Sequence, residues 1–291
     1  MNPGAALLAL IATPAMAHGD EHVAGWSLDP LVIVPLGIAA VAYAGGLVRL
    51  WSRAGAGRGL SHARVVTCAV GFVLAALFLV SPLDALAERL LAAHMIQHFG
   101  LMLIAAPLIV LGRPGLALLW DLPTAGRSAV SRISAGRGGR VWRGVGNPFV
   151  AWSIYFVTLW VWHMPALYQA AVRNDALHAA QHFSFFGAAL LFWYAVLERP
   201  RAEGRAGAFA AIFATAVQSC VLAALLTTAR TLWYPVYATG PGGWGLSPMQ
   251  DQQLGGLIMW VPCCAVMIGA GVAVFAQLLR DAEARAERSP L

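Results

Sequence analysis

Seven apolar segments, near residues 30–50, 63–80, 88–111, 148–165, 177–197, 207–229 and 253–279, dominate this chain. At about 1.5 Å per helical residue, each can cross the roughly 30 Å of hydrocarbon in a bilayer. Every backbone N–H and C=O in that solvent must be satisfied within the protein, which leaves helices or a closed barrel. Runs near twenty residues without period-two alternation exclude barrel strands. The sequence therefore predicts an all-α fold, a polytopic bundle of about seven transmembrane helices. Composition agrees: 59% of residues are hydrophobic and 11% charged, with a mean hydropathy of +0.69. That is too apolar for an ordinary water-soluble globule.

All 19 basic residues are arginine, and a net charge of +6 raises the question of a nucleic-acid partner. Their placement answers it. Arg49, Arg53, Arg58 and Arg64, then Arg113, Arg127, Arg132, Arg137, Arg140 and Arg143, then Arg199, Arg201 and Arg205, then Arg280, Arg285 and Arg288 fall in alternate connections and the C-terminal end. Only Arg89, Arg173 and Arg230 fall in the other set. This is membrane topology: the arginine-rich set is cytoplasmic, the mature N-terminus outside and the C-terminus inside. The expected partner of the surface is lipid, not nucleic acid.

Residues 1–17 end an apolar run in Ala15-Met16-Ala17 and read as a signal peptide. The expected organisation is an outer segment 18–29, a membrane domain 30–280 containing the cytoplasmic connection 112–147, and a tail 281–291. The connection 112–147 is rich in Gly, Arg and Ser and carries an apolar patch, Leu116 to Trp120, suited to lying on the membrane surface. On the outer side, Ser81-Pro82-Leu83-Asp84 and Ser247-Pro248-Met249-Gln250 have the Ser, Pro and acceptor order of capped helix starts. Trp233, Tyr234, Tyr237 and Trp244 read as an interfacial aromatic belt.

Histidine is the informative residue type. His94 and His98, in H-M-I-Q-H, and His178 and His182, in H-A-A-Q-H, are two i, i+4 pairs early in the third and fifth apolar segments. That spacing puts both imidazoles of a pair on one helix face, within reach of a common metal ion. Both segments enter from outside, and His163 ends the fourth segment on the same side. Five histidines thus share one outer layer, and ionisable groups in a membrane are costly enough to be functional by default. Met95 and Met164 adjoin them as weaker ligand candidates, a thioether and imidazole mixture suited to Cu(I). If cleavage follows Ala17, His18 and His22 form a second, weaker Cu(II)-binding candidate; otherwise they belong to a polar terminus. His62 lies among cytoplasmic arginines and is unrelated.

Other polar residues have simpler readings. Adjacent Cys263 and Cys264 diverge by about 100° on a helix, so they do not face one ion, and Cys68 and Cys220 read as packing residues. Asp84 and Asp251 fit helix starts, and Gln97 and Gln181 can steady a neighbouring imidazole. No nucleophile arrangement, paired carboxylates or phosphate loop is present, so the chain is not expected to be an enzyme.

Six blocks in order, S-P-L-D-A-L (81–86), A-H-M-I-Q-H (93–98), A-P-L-I-V-L-G-R-P (106–114), W-H-M-P-A-L-Y (162–168), A-L-H-A-A-Q-H (176–182) and D-Q-Q-L-G-G-L-I-M-W-V-P (251–262), resemble the multi-spanning CtaG family of cytochrome c oxidase assembly factors, associated with caa-type oxidases. The resemblance covers about residues 26–280. It implies a seven-helix protein of the bacterial plasma membrane that helps mature a haem-copper oxidase by handling copper, with a metal role at His94, His98, His163, His178 and His182. The expected function is a metal chaperone that binds copper, as Cu(I), at the outer face and passes it to an oxidase subunit. Two alternatives stay open: a haem-binding redox or haem-modifying protein using histidines as axial ligands, and a copper transporter, for which Gln218 is the main polar group deeper in the span.

Overall fold

The computed structural model describes residues 25–198, 204–240 and 244–288. The expected signal peptide and the His18/His22 candidate lie outside these residues. Helix α1 (Pro30–Ala54) starts with Asp29 accepting from the Leu31 N–H at 2.8 Å and Pro30 at its first position. It ends at Gly55, whose φ of +94° only glycine adopts freely. Helix α2 (His62–Val80) follows, then a short α3 (Pro82–Ala87) capped by Ser81 as its sequence predicts. Helix α4 (Leu91–Leu111) carries the first histidine pair and widens into a π-helical stretch over Gly100–Ala105.

The arginine-rich connection is built of helices: α5 (Pro114–Asp121), α6 (Thr124–Ala135) and α7 (Arg137–Val145). Helix α5 lies against α1, so close that a Cβ on Gly46 would meet the Ala117 carbonyl oxygen. Part of the Leu116–Trp120 patch therefore packs on Tyr43 and Leu50 of α1, with Ala117 fully buried. Helices α6 and α7 keep Ile133, Val141 and Trp142 exposed beside their arginines, the arrangement of a helix lying at an interface.

Helix α8 (Pro148–Trp162) has only 15 residues, and at about 1.5 Å each it is short for a full span. It meets α7 at a bend of 65°. The fourth expected segment is thus a short helix that reaches span length only together with α7: among the described residues six helices are long and apolar enough to cross a membrane, or seven with the bent pair as one span. Helix α9 (Pro165–Val172) precedes α10 (Asp175–Glu198), which bears the second histidine pair. Helix α11 (Arg205–Thr228), a loop with a 3₁₀ turn at Pro235–Tyr237, and α12 (Pro248–Arg288) follow. At the start of α12, Ser247 and Gln250 bond reciprocally, at 3.2 and 2.8 Å, forming the expected capping box.

Helix α4 is the centre of the bundle, with 72% of its apolar stretch buried against 11% for α1. It packs between α2, α10 and α12. The approach to α2 is tight, since a Cβ at Gly100 would clash with the Phe78 ring. Trp193 of α10 donates its indole N–H to the Met102 carbonyl at 2.8 Å, within the widened stretch of α4. That bond helps hold α4 against α10, which sets the histidine pairs opposite each other.

At one end of the bundle, Arg49 pairs with Asp121, Arg64 and Arg113 pair with Glu198, and Arg205 pairs with Asp281. At the other, Ser27 bonds to Val80 and Asp84 to Gln97. The two sets of connections separated by arginine count in the sequence are joined accordingly.

Candidate metal centre

The i, i+4 spacing works as helical geometry requires. The ring centroids of His94 and His98 are 4.2 Å apart on α4, and those of His178 and His182 are 4.3 Å apart on α10. Across the helix pair, His94 faces His178 at 5.2 Å and His98 faces His182 at 4.9 Å. This is the register of parallel helices, so both pairs do share a depth. One nitrogen from each ring can be chosen so that all four lie within 4.8 Å of one another. Tetrahedral nitrogen ligands about 2.0–2.1 Å from a metal are about 3.3 Å apart, so the longest separation would have to close by roughly 1.5 Å.

These rings are buried: His94 and His98 are each 1% exposed and His182 6%, while His178 is half-buried and marks the mouth. Nε2 of His94, His178 and His182 and both ring nitrogens of His98 have no hydrogen-bond partner. Buried polar atoms are nearly always paired, so four converging rings, each with at least one unpartnered nitrogen, point to a ligand.

Around the rings, the supporting contacts are specific. Nδ1 of His94 lies 3.0 Å from the Tyr237 hydroxyl, which lies 3.2 Å from the Ala87 carbonyl. The carbonyl can only accept, so the phenol donates to it and its oxygen accepts from His94 Nδ1–H. The lone pair of His94 is then on Nε2, facing the other imidazoles. Burial raises the Tyr237 pKa, which keeps the phenol protonated for this bond. Asp251, fully buried, accepts from the N–H groups of Leu91 and Ala92 at 2.7 and 3.1 Å. It caps the start of the helix that carries His94 and His98, and α12 thereby locks α4 in place. Asp84 accepts from Gln97 at 2.7 Å, while Gln181 is buried beside His94.

His163 caps the C-terminus of α8 at the same end of the bundle and is 3% exposed. Its Nδ1–H donates to the Leu159 carbonyl at 2.7 Å, which leaves Nε2 with an unpartnered lone pair. It packs on Tyr168 and Phe185, which in turn touch His94 and His98, and so adjoins the four without belonging to the closest set. The methionines are not brought in. Met95 lies near Gly255 of α12, about 100° around α4 from His94, and Met164 is 57% exposed. His62 stacks on Trp51, away from the cluster.

The sequence missed Tyr237. As an interfacial belt residue it should face lipid, yet Tyr234 and Tyr237 are 2% and 3% exposed and turn inward, while Trp244 remains outside. Tyr234 donates to the His163 carbonyl at 2.9 Å. The role of Asp251 as a cap for a different helix also lay beyond its reading as a helix-start residue.

A family model described as cytochrome c oxidase caa3 assembly factor matches residues 41–281. Uncharacterized proteins of Mycobacterium bovis and Mycobacterium tuberculosis are each 24% identical over 243 residues, covering 81% of this chain and 36% of their own length. The chain thus spans about a third of the length of these curated relatives. No solved structure matches it.

Proposed function

The chain belongs to the cytochrome c oxidase caa3 assembly factor family, and on that premise we propose that it holds copper at its histidine cluster and delivers the ion to an oxidase subunit. His94, His98, His178 and His182 are the binding set, and His163 is the next ligand along an exchange path. The cluster faces the outside of a bacterial plasma membrane, as the positive-inside distribution of arginine favours. Here the protein is a carrier and performs no catalysis.

The observation that carries this reading is the convergence of four imidazoles, three buried and one half-buried at the mouth, whose ligand nitrogens lack other partners. Four neutral donors and no carboxylate within the set favour Cu(I). Desolvation cost rises with the square of the charge, so a monovalent ion is retained in such a site more cheaply than Cu(II) or Zn(II). The half-buried His178, within electrostatic range of Asp84, Asp175 and Asp29, gives a cation an attractive entrance. Ligand exchange from four imidazoles to a fifth permits release without unfolding.

The test is metal content. Purified full-length protein, reduced, loaded with Cu(I) and desalted, should retain one copper per chain with nitrogen-only coordination by X-ray absorption. Replacing His94, His98, His178 and His182 by Ala should abolish retention and lower oxidase maturation in cells. Absence of stoichiometric copper in the wild type would overturn the proposal.

One observation favours a second reading. An apolar groove of about 1030 Å³ runs between α1, α4, α5 and α10 and reaches His182, large enough for a haem with His182 as axial ligand. A Soret band in protein purified from haem-supplied cells would establish it in place of copper.

A further inference from the structure

The four cysteines are free, and two of them meet across the bundle: Cys220 Sγ of α11 lies 3.0 Å from Cys264 Sγ of α12. Their neighbours show that this contact follows from the helix register. Ser219 lies beside Cys263, Gly256 abuts Thr227 and the Ala223 carbonyl, and Phe209 packs near Phe275. Each pair numbers close to the same total, as antiparallel helices in one register require. Gly256, where a Cβ would collide with Thr227 Oγ1, lets the two backbones approach closely. Cys263 turns into the core and is fully buried, whereas Cys220 and Cys264 are only partly buried. Val217 and Val221 flank one and Val261 and Ile268 the other, all exposed. The pair sits on a seam facing lipid.

We propose that Cys220 and Cys264 are a reversible dithiol/disulfide pair, oxidised within the membrane by a lipid-soluble quinone, which clamps α11 to α12. The sulfurs need close by only about 1 Å to reach bonding distance. Both S–H bonds break, the S–S bond forms, and two protons and two electrons pass to the quinone, leaving a hydroquinone. A thiol or hydroquinone reductant reverses the step. The clamp would fix the two helices joined by the loop that carries Tyr234 and Tyr237. That loop is already tied to α12 through Gln252, which accepts from Trp233 N–H at 2.7 Å and donates to the Thr231 carbonyl at 3.2 Å.

The experiment uses full-length protein in lipid nanodiscs and a fully ring-substituted quinone, which cannot form thiol adducts. After oxidation, alkylation should be lost at Cys220 and Cys264 together and persist at Cys68 and Cys263. Peptide mapping should show a Cys220–Cys264 crosslink lacking two hydrogens, and dithiothreitol should restore both thiols. In Cys264→Ser, Cys220 should stay alkylatable. Persistence of both free thiols in excess quinone, a Cys220 crosslink to any other cysteine, or equal loss of Cys220 labelling in Cys264→Ser would each overturn the proposal.

Discussion

The Tyr237 hydroxyl joins the Ala87 carbonyl to Nδ1 of His94, at 3.2 and 3.0 Å, and so fixes which nitrogen of His94 faces the other imidazoles. Tyr237→Phe retains the ring and removes that control. Loss of such an outer contact typically weakens metal binding by about 10- to 100-fold. Competition with a Cu(I) chelator should show a drop in that range while the helical circular dichroism is unchanged. An unaltered affinity would mean that the phenol only packs.

Asp251 supports the cluster without reaching it. Its carboxylate accepts from two N–H groups at the start of α4, so Asp251→Ala leaves both donors buried and unpaired. We expect a stability loss of about 2 kcal/mol or more. Asp251→Asn keeps one acceptor oxygen and should lose less. Thermal unfolding in detergent measures the order, which should be wild type, Asn, then Ala.

The bundle was largely legible in the sequence because its determinants are local. Apolar run lengths fixed the helices, Ser81-Pro82 and Ser247-Pro248 marked their starts, and the two H-x-x-x-H pairs placed four rings on two faces. The run near 148–165 gave the start of α8, where Asn147 caps and Pro148 opens the helix, but not its shortness: it stops at Trp162, and only with α7, across the bend at Gly146, does it reach span length. Tyr237 was hidden for a different reason: its partner His94 is 143 residues away, and an interfacial tyrosine and an inward one look alike in sequence. Met95 was the converse. One residue beyond a ligand candidate is about 100° around the helix, so the chain could place it next to His94 in sequence and still turn it to α12.

Gly256 tests the closeness of α11 and α12 directly. A methyl there would collide with Thr227 Oγ1 and meet Thr227 N at 2.8 Å, and the backbone cannot yield as a side chain can. Gly256→Ala should destabilise the protein by about 1–3 kcal/mol, the usual cost of overpacking. Gly269, where an added methyl would meet nothing within 4 Å, is the control. Gly269→Ala should leave the melting temperature unchanged or raise it slightly, because alanine favours helix.

His163 and His98 are alike in burial yet should differ in what their loss does. Nδ1–H of His163 is committed to Leu159, and its free Nε2 lies beside the four-imidazole set but outside it. His98 lies inside the set with both nitrogens unpartnered. If four imidazoles store the ion and the fifth receives it on the way out, His98→Ala should lower the copper retained at equilibrium. His163→Ala should preserve stoichiometry while slowing transfer to an acceptor, because release then lacks its intermediate ligand. Stopped-flow transfer to a chromogenic Cu(I) chelator, beside equilibrium copper content, separates the two effects. Equal loss of stoichiometry in both variants would place His163 among the storage ligands, and unchanged transfer in His163→Ala would leave it a packing residue.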